Sequence, residues 1–232
     1  MKTLAELRAG INEIFESKWE ERDGIVIPTS KDLKLGNQGV NIEGTVLYAD
    51  LVDSTGLVQG YKKHFAAEIY KAYLMVASEL IRNNGGQITA FDGDRVMGVF
   101  AGDSKNTSAA KCALQINHMV SKEIRPGIRN QYPTTSFKLS HGIGIDTSPL
   151  FIARTGVRGD NDLVWVGRAA NFAAKLCALR TSEASIFITG DVYNKLSDSS
   201  KYGGNPKENM WVKSTWAEFG TTIYQSSWLW EP

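Results

Sequence analysis

Cysteine is nearly absent from this chain. Cys112 and Cys177 are the only two in 232 residues, each inside an apolar helix-like pattern and without CxxC or Cys/His ligand spacing. That argues against a disulfide framework or a zinc site, and both thiols read as buried groups in a reducing cytosol. An excess of either charge is missing too, with 26 Lys plus Arg against 25 Asp plus Glu. No overall field would hold a nucleic-acid backbone or an anionic membrane, so an anionic substrate must be captured locally. No apolar run approaches a membrane span, and the opening MKTLAELRAGINEIFESKWEERDG has no continuous apolar stretch. The expectation is a soluble, cytoplasmic protein that binds neither nucleic acid nor membrane. P-loop and GxGxxG fingerprints, internal repeats and low-complexity segments are likewise absent.

What is present suits one sizeable core, with 42% hydrophobic and 22% charged residues. Leu4, Leu7, Ile11, Ile14 and Phe15 recur at helical spacing over residues 3–19, an amphipathic N-terminal helix of the docking-arm type. Residues 20–44, broken by Pro28, Gly36, Gly39 and Gly44, read as an ordered arm. The edge of the main domain is set at Gly44, which divides 1–44 from a domain over 45–232. TVLYAD (45–50) is an apolar strand ending in an acid, and Asp53 or Ser54 can cap the next helix. Ile69, Tyr73, Val76 and Leu80 mark that helix, and Asn83-Asn84-Gly85-Gly86 ends it. QITAF and RVMGVF flank Asp92-Gly93-Asp94, a tight hairpin with Asp94 at its tip.

A second helix follows over about 105–124, then a strand over 136–145 whose apolar face includes His141 as a core histidine. A hairpin over 150–166, a helix over 169–179 and strands over 186–189 and 221–226 complete the order. The fold class expected is α/β (α+β), a ferredoxin-like antiparallel sheet with helices covering one face.

The chemistry concentrates on acids. Asp50 ends the first strand and Asp94 tops the hairpin, and in such a sheet the first strand commonly lies beside the hairpin strands. Two carboxylates that close repel unless a cation lies between them, and hard oxygen ligands select Mg²⁺ or Mn²⁺. Val52, Asp53, Ser54, Thr55 and Gly56 would add backbone N–H groups at a helix N-terminus, an anion site beside the metals.

YADLVDST resembles the first metal motif of the class III nucleotide cyclases, FDGDRVMGVF resembles the second, and VGRAANFAAKL is similar to their catalytic helix. The likeness runs in order from about Thr45 to Leu196. It implies two divalent cations held by Asp50 and Asp94, with the Leu51 carbonyl as a further ligand. One ion would lower the pKa of the ribose 3′-hydroxyl, and the other would steady the triphosphate and leaving pyrophosphate. Asn171 matches the ribose-positioning asparagine. Lys175, one turn on along the same face, takes the place of the transition-state arginine. A point charge there replaces a planar fork, so the charge is kept and the geometry is not; the plainer reading of Lys175 is a solvated helix cation.

Adenylyl cyclases of this class carry a lysine and an aspartate whose positions are Ala90 and Val164 here, so adenine should not be strongly selected. GDRVMGVF, GDSKNTSAAKCALQIN and GVRGDNDLVWVGRAANFAAKL resemble the pyrimidine cyclases of bacterial Pycsar antiphage systems. That likeness implies UTP and cyclic UMP, or alternatively CTP and cyclic CMP, with the product acting on a separate cyclic-nucleotide-sensing effector. It also implies a homodimer whose active sites take metal acids from one subunit and Asn171 and Lys175 from the other.

Tyr48 shares the strand face of Asp50 and can pack on the nucleotide or simply in the core. Arg95 can meet phosphate or a partner, or remain a surface cation of the hairpin. Trp211, Trp216, Trp228 and Trp230 are read as interface aromatics, and Lys213 as a weak match to the family's phosphate lysine. Three rivals stay open: a purine nucleotide cyclase, a degenerate nucleotide-binding module without turnover, and a diguanylate-type enzyme. The last carries a GG(D/E)EF-like hairpin, and this hairpin reads FDGDRVMG.

Overall fold

The computed structural model describes residues 2–179 and 184–232. Helix α1 (Leu4–Glu16) starts from Thr3, whose hydroxyl accepts from the Glu6 N–H while the Glu6 carboxylate accepts from the Thr3 N–H, a closed capping box. Its apolar stripe stays exposed, and its far end is held by the Asn37 amide, which donates to the carbonyls of Ile14 and Ser17. The arm over 20–44 is more regular than expected, because β1 (Glu20–Asp23) pairs in parallel with the start of β2 (Gln38–Leu51). β2 therefore begins well before Thr45 and passes through Gly44 unbroken, which places the boundary set at Gly44 inside a strand. The glycines read as breaks serve packing instead: a methyl group on Gly39 would come within 2.1 Å of the Phe151 ring, and one on Gly44 within 2.7 Å of Leu150.

The helix expected after Asp50 is two helices, α2 (Ser54–Gly60) and α3 (Lys63–Asn83). They part at Tyr61, whose ring stacks on Phe65 at 5.0 Å and meets Phe137 edge-on. α3 buries Ile69, Tyr73, Val76 and Leu80 as predicted, and Gly85 leaves its end at φ 79°. The hairpin of β3 (Gln87–Asp92) and β4 (Arg95–Phe100) turns at Gly93, φ 60°. α4 (Lys105–Met119) continues through a π-helical turn at Val120–Ile124 into α5 (Arg125–Gln131).

The long strand β5 (His141–Val157) starts later than residue 136, and it forms a hairpin with β6 (Asp160–Val166). Then come α6 (Arg168–Ala178), β7 (Ile186–Thr189), α7 (Gly190–Asn194), α8 (Asp198–Lys201), the short pair β8 (Tyr202–Gly203) and β9 (Glu208–Asn209), β10 (Val212–Trp216) and β11 (Thr221–Ser226). β10 shows no apolar alternation because it is an edge strand with most side chains in solvent.

Among the described residues the main sheet runs β10-β11-β7-β5-β2-β4-β3, with β1 and β6 paired to β2 and β5. β2 lies antiparallel to both β4 and β5, as a ferredoxin-like arrangement requires. Alternation along β2 sends Leu47, Ala49 and Leu51 into the core built with α3 and α4. Val46 goes to the other side, where it packs with Met97, Leu150 and the alanines Ala169, Ala170 and Ala173 of α6. Helices thus cover both faces, where one had been expected. The cause is local: methyl groups at Gly142 and Gly144 of β5 would lie 2.2 and 2.1 Å from carbonyl oxygens of Cys177 and Ala173, so glycine alone lets the α6 backbone lie on the sheet.

The tryptophans expected at an interface are mostly internal. Trp211 and Trp216 are buried within the chain, and Trp228 and Trp230 pack against its main core. Trp211 Nε1 donates to the Ser200 carbonyl at 2.7 Å, which explains how a large ring with a polar edge can be enclosed.

Candidate active site

Sheet register brings the two acids together. β2 and β4 pair Tyr48 with Met97 and Ala49 with Val96, so the next residues, Asp50 and Leu51, come level with Arg95 and the turn that carries Asp94. Both carboxylates act on one buried hydroxyl. Burial, followed by the charges of Cys177, Asp50 and Asp94, holds the Tyr73 phenol well above its ordinary value. Asp94 Oδ2 is buried and has no hydrogen-bond partner among the described residues. Such an atom costs about 1–3 kcal/mol or more, so its placement calls for a ligand.

The chemistry of the donors fits a divalent cation. Two hard carboxylates stand at one level of the sheet, and no group of three or more His, Cys, Asp or Glu converges among the described residues. The chain would therefore supply only part of a coordination sphere. That is the usual case for Mg²⁺, which takes one or two carboxylates and completes its shell with water and substrate phosphates.

The anion site expected at 52–56 is smaller than drawn. The Val52 N–H is committed to the Ser140 carbonyl at 2.9 Å, because strand pairing continues past Leu51. Asp53 adopts the left-handed conformation (φ 58°) as the cap of α2, and its carboxylate accepts the Gly56 N–H at 3.2 Å. The anion-binding expectation then rests on Asp53, Ser54 and Thr55.

On α6 the buried face is Ala169, Ala170, Ala173, Leu176 and Cys177, and Asn171 and Lys175 share the exposed face. Lys175 Nζ pairs with Glu218 at 3.0 Å and lies 5.1 Å from the centre of the Phe219 ring. Glu218 escaped sequence reasoning, since 43 positions separate the two and no motif links them. With the lysine 51% and the glutamate 59% exposed, the pair is worth at most about 1 kcal/mol and opens easily.

Ala90 pairs with Met97 and Val164 with Ala153, the former half-buried and the latter exposed. Neither offers a polar group to a base. Half-buried Tyr48 has its ring 5.4 Å from the Arg95 guanidinium, and burial raises its phenol. Arg95 forms an ion pair with Asp92 of its own hairpin at 2.8 Å. Burial opposes its charge, but the Asp92 hydrogen bond and the Asp50 charge hold the guanidinium above its ordinary value. Lys213 lines a separate cleft of about 480 Å³ with Arg168, Asp191 and Tyr224. Burial pushes the Cys112 thiol up, and Cys177 donates to the Gly142 carbonyl at 3.1 Å, so both are inert internal groups. No helix among the described residues is long and apolar enough to cross a membrane.

The fold is that of the class III nucleotidyl cyclase catalytic domains. It superposes on a bacterial light-regulated adenylyl cyclase with TM-score 0.69 at 20% identity, covering 81% of this chain and 51% of that one. The adenylyl cyclase CyaB from P. aeruginosa gives 0.68 at 22% identity, covering 81% and 95%. The guanylyl cyclase Cya2 gives 0.67 at 19%, covering 84% and 96%. At these identities the likeness is one of fold. No protein-family model matches the chain. Its sequence is 49% identical over 232 residues to a uridylate cyclase of Burkholderia cepacia, covering 99% of each chain. It is 47% identical to a uridylate cyclase of Xanthomonas perforans, covering 97% of this chain and 96% of that one. The chain belongs to this uridylate cyclase family and is a nucleotidyl cyclase.

Proposed function

We propose that the protein is a homodimeric pyrimidine nucleotide cyclase that converts UTP to 3′,5′-cyclic UMP and pyrophosphate, as a signal in antiphage defence read by a separate effector. The observation that carries the catalytic half is the buried Asp94 Oδ2, without a hydrogen-bond partner among the described residues, in the turn level with the strand end that delivers Asp50. Near-full-length identity to proteins named uridylate cyclases supports the base. Ala90 and Val164 agree with it, because neither can return the hydrogen bonds that an adenine-selective pocket makes.

Asp50 and Asp94, with the Leu51 carbonyl, would hold a pair of divalent cations, Mg²⁺ or Mn²⁺. When bound, these supply charge that favours loss of the 3′-hydroxyl proton and neutralises the departing pyrophosphate. The chain's own groups do the rest. Asp53, Ser54 and Thr55 receive phosphate oxygens through backbone N–H groups. Asn171 orients the ribose so that its 3′-oxygen stands in line with the bond to be broken. Lys175, released from Glu218, sets its ammonium against the charge that grows on the α-phosphate. The 3′-oxygen forms its bond to the α-phosphorus as the bond to the β-phosphate oxygen breaks, and the hydroxyl proton leaves to solvent. Asn171 and Lys175 stand on the exposed face of α6, where a second subunit can bring its own acids to them. Each two-fold pair would then contain two equivalent shared sites.

Two measurements test this. Incubation with Mn²⁺ and all four ribonucleoside triphosphates, with products resolved by mass spectrometry, should show cyclic UMP formed fastest and cyclic CMP next. A preference for ATP or GTP overturns the base. Mixing Asp50→Ala with Asn171→Ala chains should restore activity that neither has alone, and no recovery would overturn the shared site.

A further inference from the structure

Beneath the acids, three buried polar side chains form a line that the reading above does not use. Tyr73, on α3, is fully buried, and its hydroxyl lies 3.4 Å from the carbonyl oxygen of Asp50 and 3.4 Å from Nδ1 of His141. His141, at the start of β5 and 3% exposed, stands opposite Leu51 in the strand register. Its Nε2 is 3.0 Å from Oδ1 of Asn117 on α4, and Asn117 Nδ2 donates to the carbonyls of Ser227 and Trp228 at 3.1 and 3.0 Å.

The direction of each bond follows from donor chemistry. Two carbonyl partners require Asn117 to present its NH₂ to Ser227 and Trp228, so its Oδ1 faces His141 as an acceptor. His141 must then carry its proton on Nε2. Burial lowers its pKa to about 3, which keeps the ring neutral and leaves Nδ1 a bare acceptor. The Tyr73 hydroxyl supplies the proton that faces Nδ1, and it adds a contact at 3.4 Å to the Asp50 carbonyl, whose residue the strand ladder already sets opposite Gly142. Donation therefore runs outward from Tyr73, on one side to the Asp50 carbonyl and on the other through His141 and Asn117 to the carbonyls of Ser227 and Trp228.

We propose that Tyr73, His141 and Asn117 are positioning residues for the Asp50–Leu51 strand end, holding its peptide so that the Asp50 carboxylate meets a divalent cation in the geometry Asp94 needs. This rests on the metal-binding reading of Asp50 and Asp94. The pairing of β2 with β4 runs to Ala49. Beyond it, β2 is held by pairing to β5 and by the Val52 N–H on Ser140. A hydroxyl aimed at the Asp50 carbonyl from the α3 side adds a restraint, from a second direction, on a peptide that the ladder with β5 already holds. Outer groups of this kind change metal affinity by about 10- to 100-fold in known sites.

The test is Tyr73→Phe, which deletes one oxygen and keeps the ring, with Mn²⁺ binding read directly from the loss of the free-ion EPR signal. Mn²⁺ affinity should fall about 10-fold, kcat should fall with it, and the KM for triphosphate should stay within a factor of about two. The ¹⁵N shifts of the His141 ring should report the Nε2-protonated tautomer in the parent protein, with the Nδ1 resonance moved in Tyr73→Phe. Ile81→Val, a cavity-forming change about two turns further along α3 in the same core, serves as the stability control. It should lower Tm comparably and leave Mn²⁺ binding alone. Unchanged Mn²⁺ affinity in Tyr73→Phe overturns the positioning role, as does an equal loss in Ile81→Val. If instead the parent protein binds no Mn²⁺, or Asp50→Ala binds it as well as the parent, the metal reading itself has failed.

Discussion

Asp146, on β5, and Asp94, in the turn between β3 and β4, both have oxygens shut away from water, and they are served in opposite ways. Asp146 has no exposed surface, and every direction is answered: Arg168 donates through Nε at 3.0 Å and through Nη2 at 3.2 Å, and the Thr189 hydroxyl donates at 2.6 Å. Arg168 continues to Asp191 at 2.5 Å and to the Thr147 carbonyl, tying α6 to β5 and α7. Asp94 has a buried oxygen that nothing answers among the described residues. Burial of an acid by itself therefore says little about its use. Under the proposed function the unanswered acid takes a cation, while the answered one holds the architecture.

The largest effect should come from Asp94. Asp94→Ala is expected to lower kcat by about 10³-fold or more, because several kcal/mol of charge stabilisation are lost. Thermal unfolding should show Tm unchanged or raised, since an unmet buried acceptor is removed. A large drop in Tm would place Asp94 with Asp146 and erase the contrast. Asp146→Ala should do the reverse, costing about 2–3 kcal/mol by chemical denaturation, below the full value for a buried pair because Arg168 is 42% exposed. A fully stable Asp146→Ala protein would break the comparison from the other side.

His141 gives a smaller, pH-dependent effect. The unfolded imidazole takes a proton below its ordinary value of 6.5, whereas the folded one refuses it until about 3. The unfolded chain thus holds more protons between these values, and stability is lost as pH falls from 6.5 toward 3, by up to about 1.4 kcal/mol per pH unit. In urea titrations at successive pH values, His141→Gln should flatten that slope by one proton, and an unaltered slope would show the ring is not the source. The smallest change is expected from Glu218→Gln, which frees Lys175. Stability should move by less than about 1 kcal/mol and the KM for triphosphate should fall by up to about fivefold. A rise in KM would show that Glu218 helps to place Lys175.

Much of the active end was legible in order. TVLYAD alternates and ends in an acid, Asp92-Gly93-Asp94 turns tightly, and Asn171 and Lys175 share one helix face by simple periodicity. Each is a short-range property, and each element stands where it was expected. The arm was misread because Gly39 and Gly44 look like breakers, and only the rings and side chains of Phe151 and Leu150, more than a hundred positions away, show that they are packing sites. The tryptophans were misassigned for the same reason, since their neighbours are distant in sequence.

The sequence by itself determined the local setting of the candidate residues, because turn, cap and alternation depend on neighbours a few positions apart. Only the tertiary structure decided that Asp146 meets Arg168 while one Asp94 oxygen finds no hydrogen-bond partner among the described residues, that α6 lies on the second sheet face, and that Tyr73 reaches His141 beneath Asp50. Those outcomes depend on strand register and on contacts between side chains far apart along the chain, which no local pattern encodes.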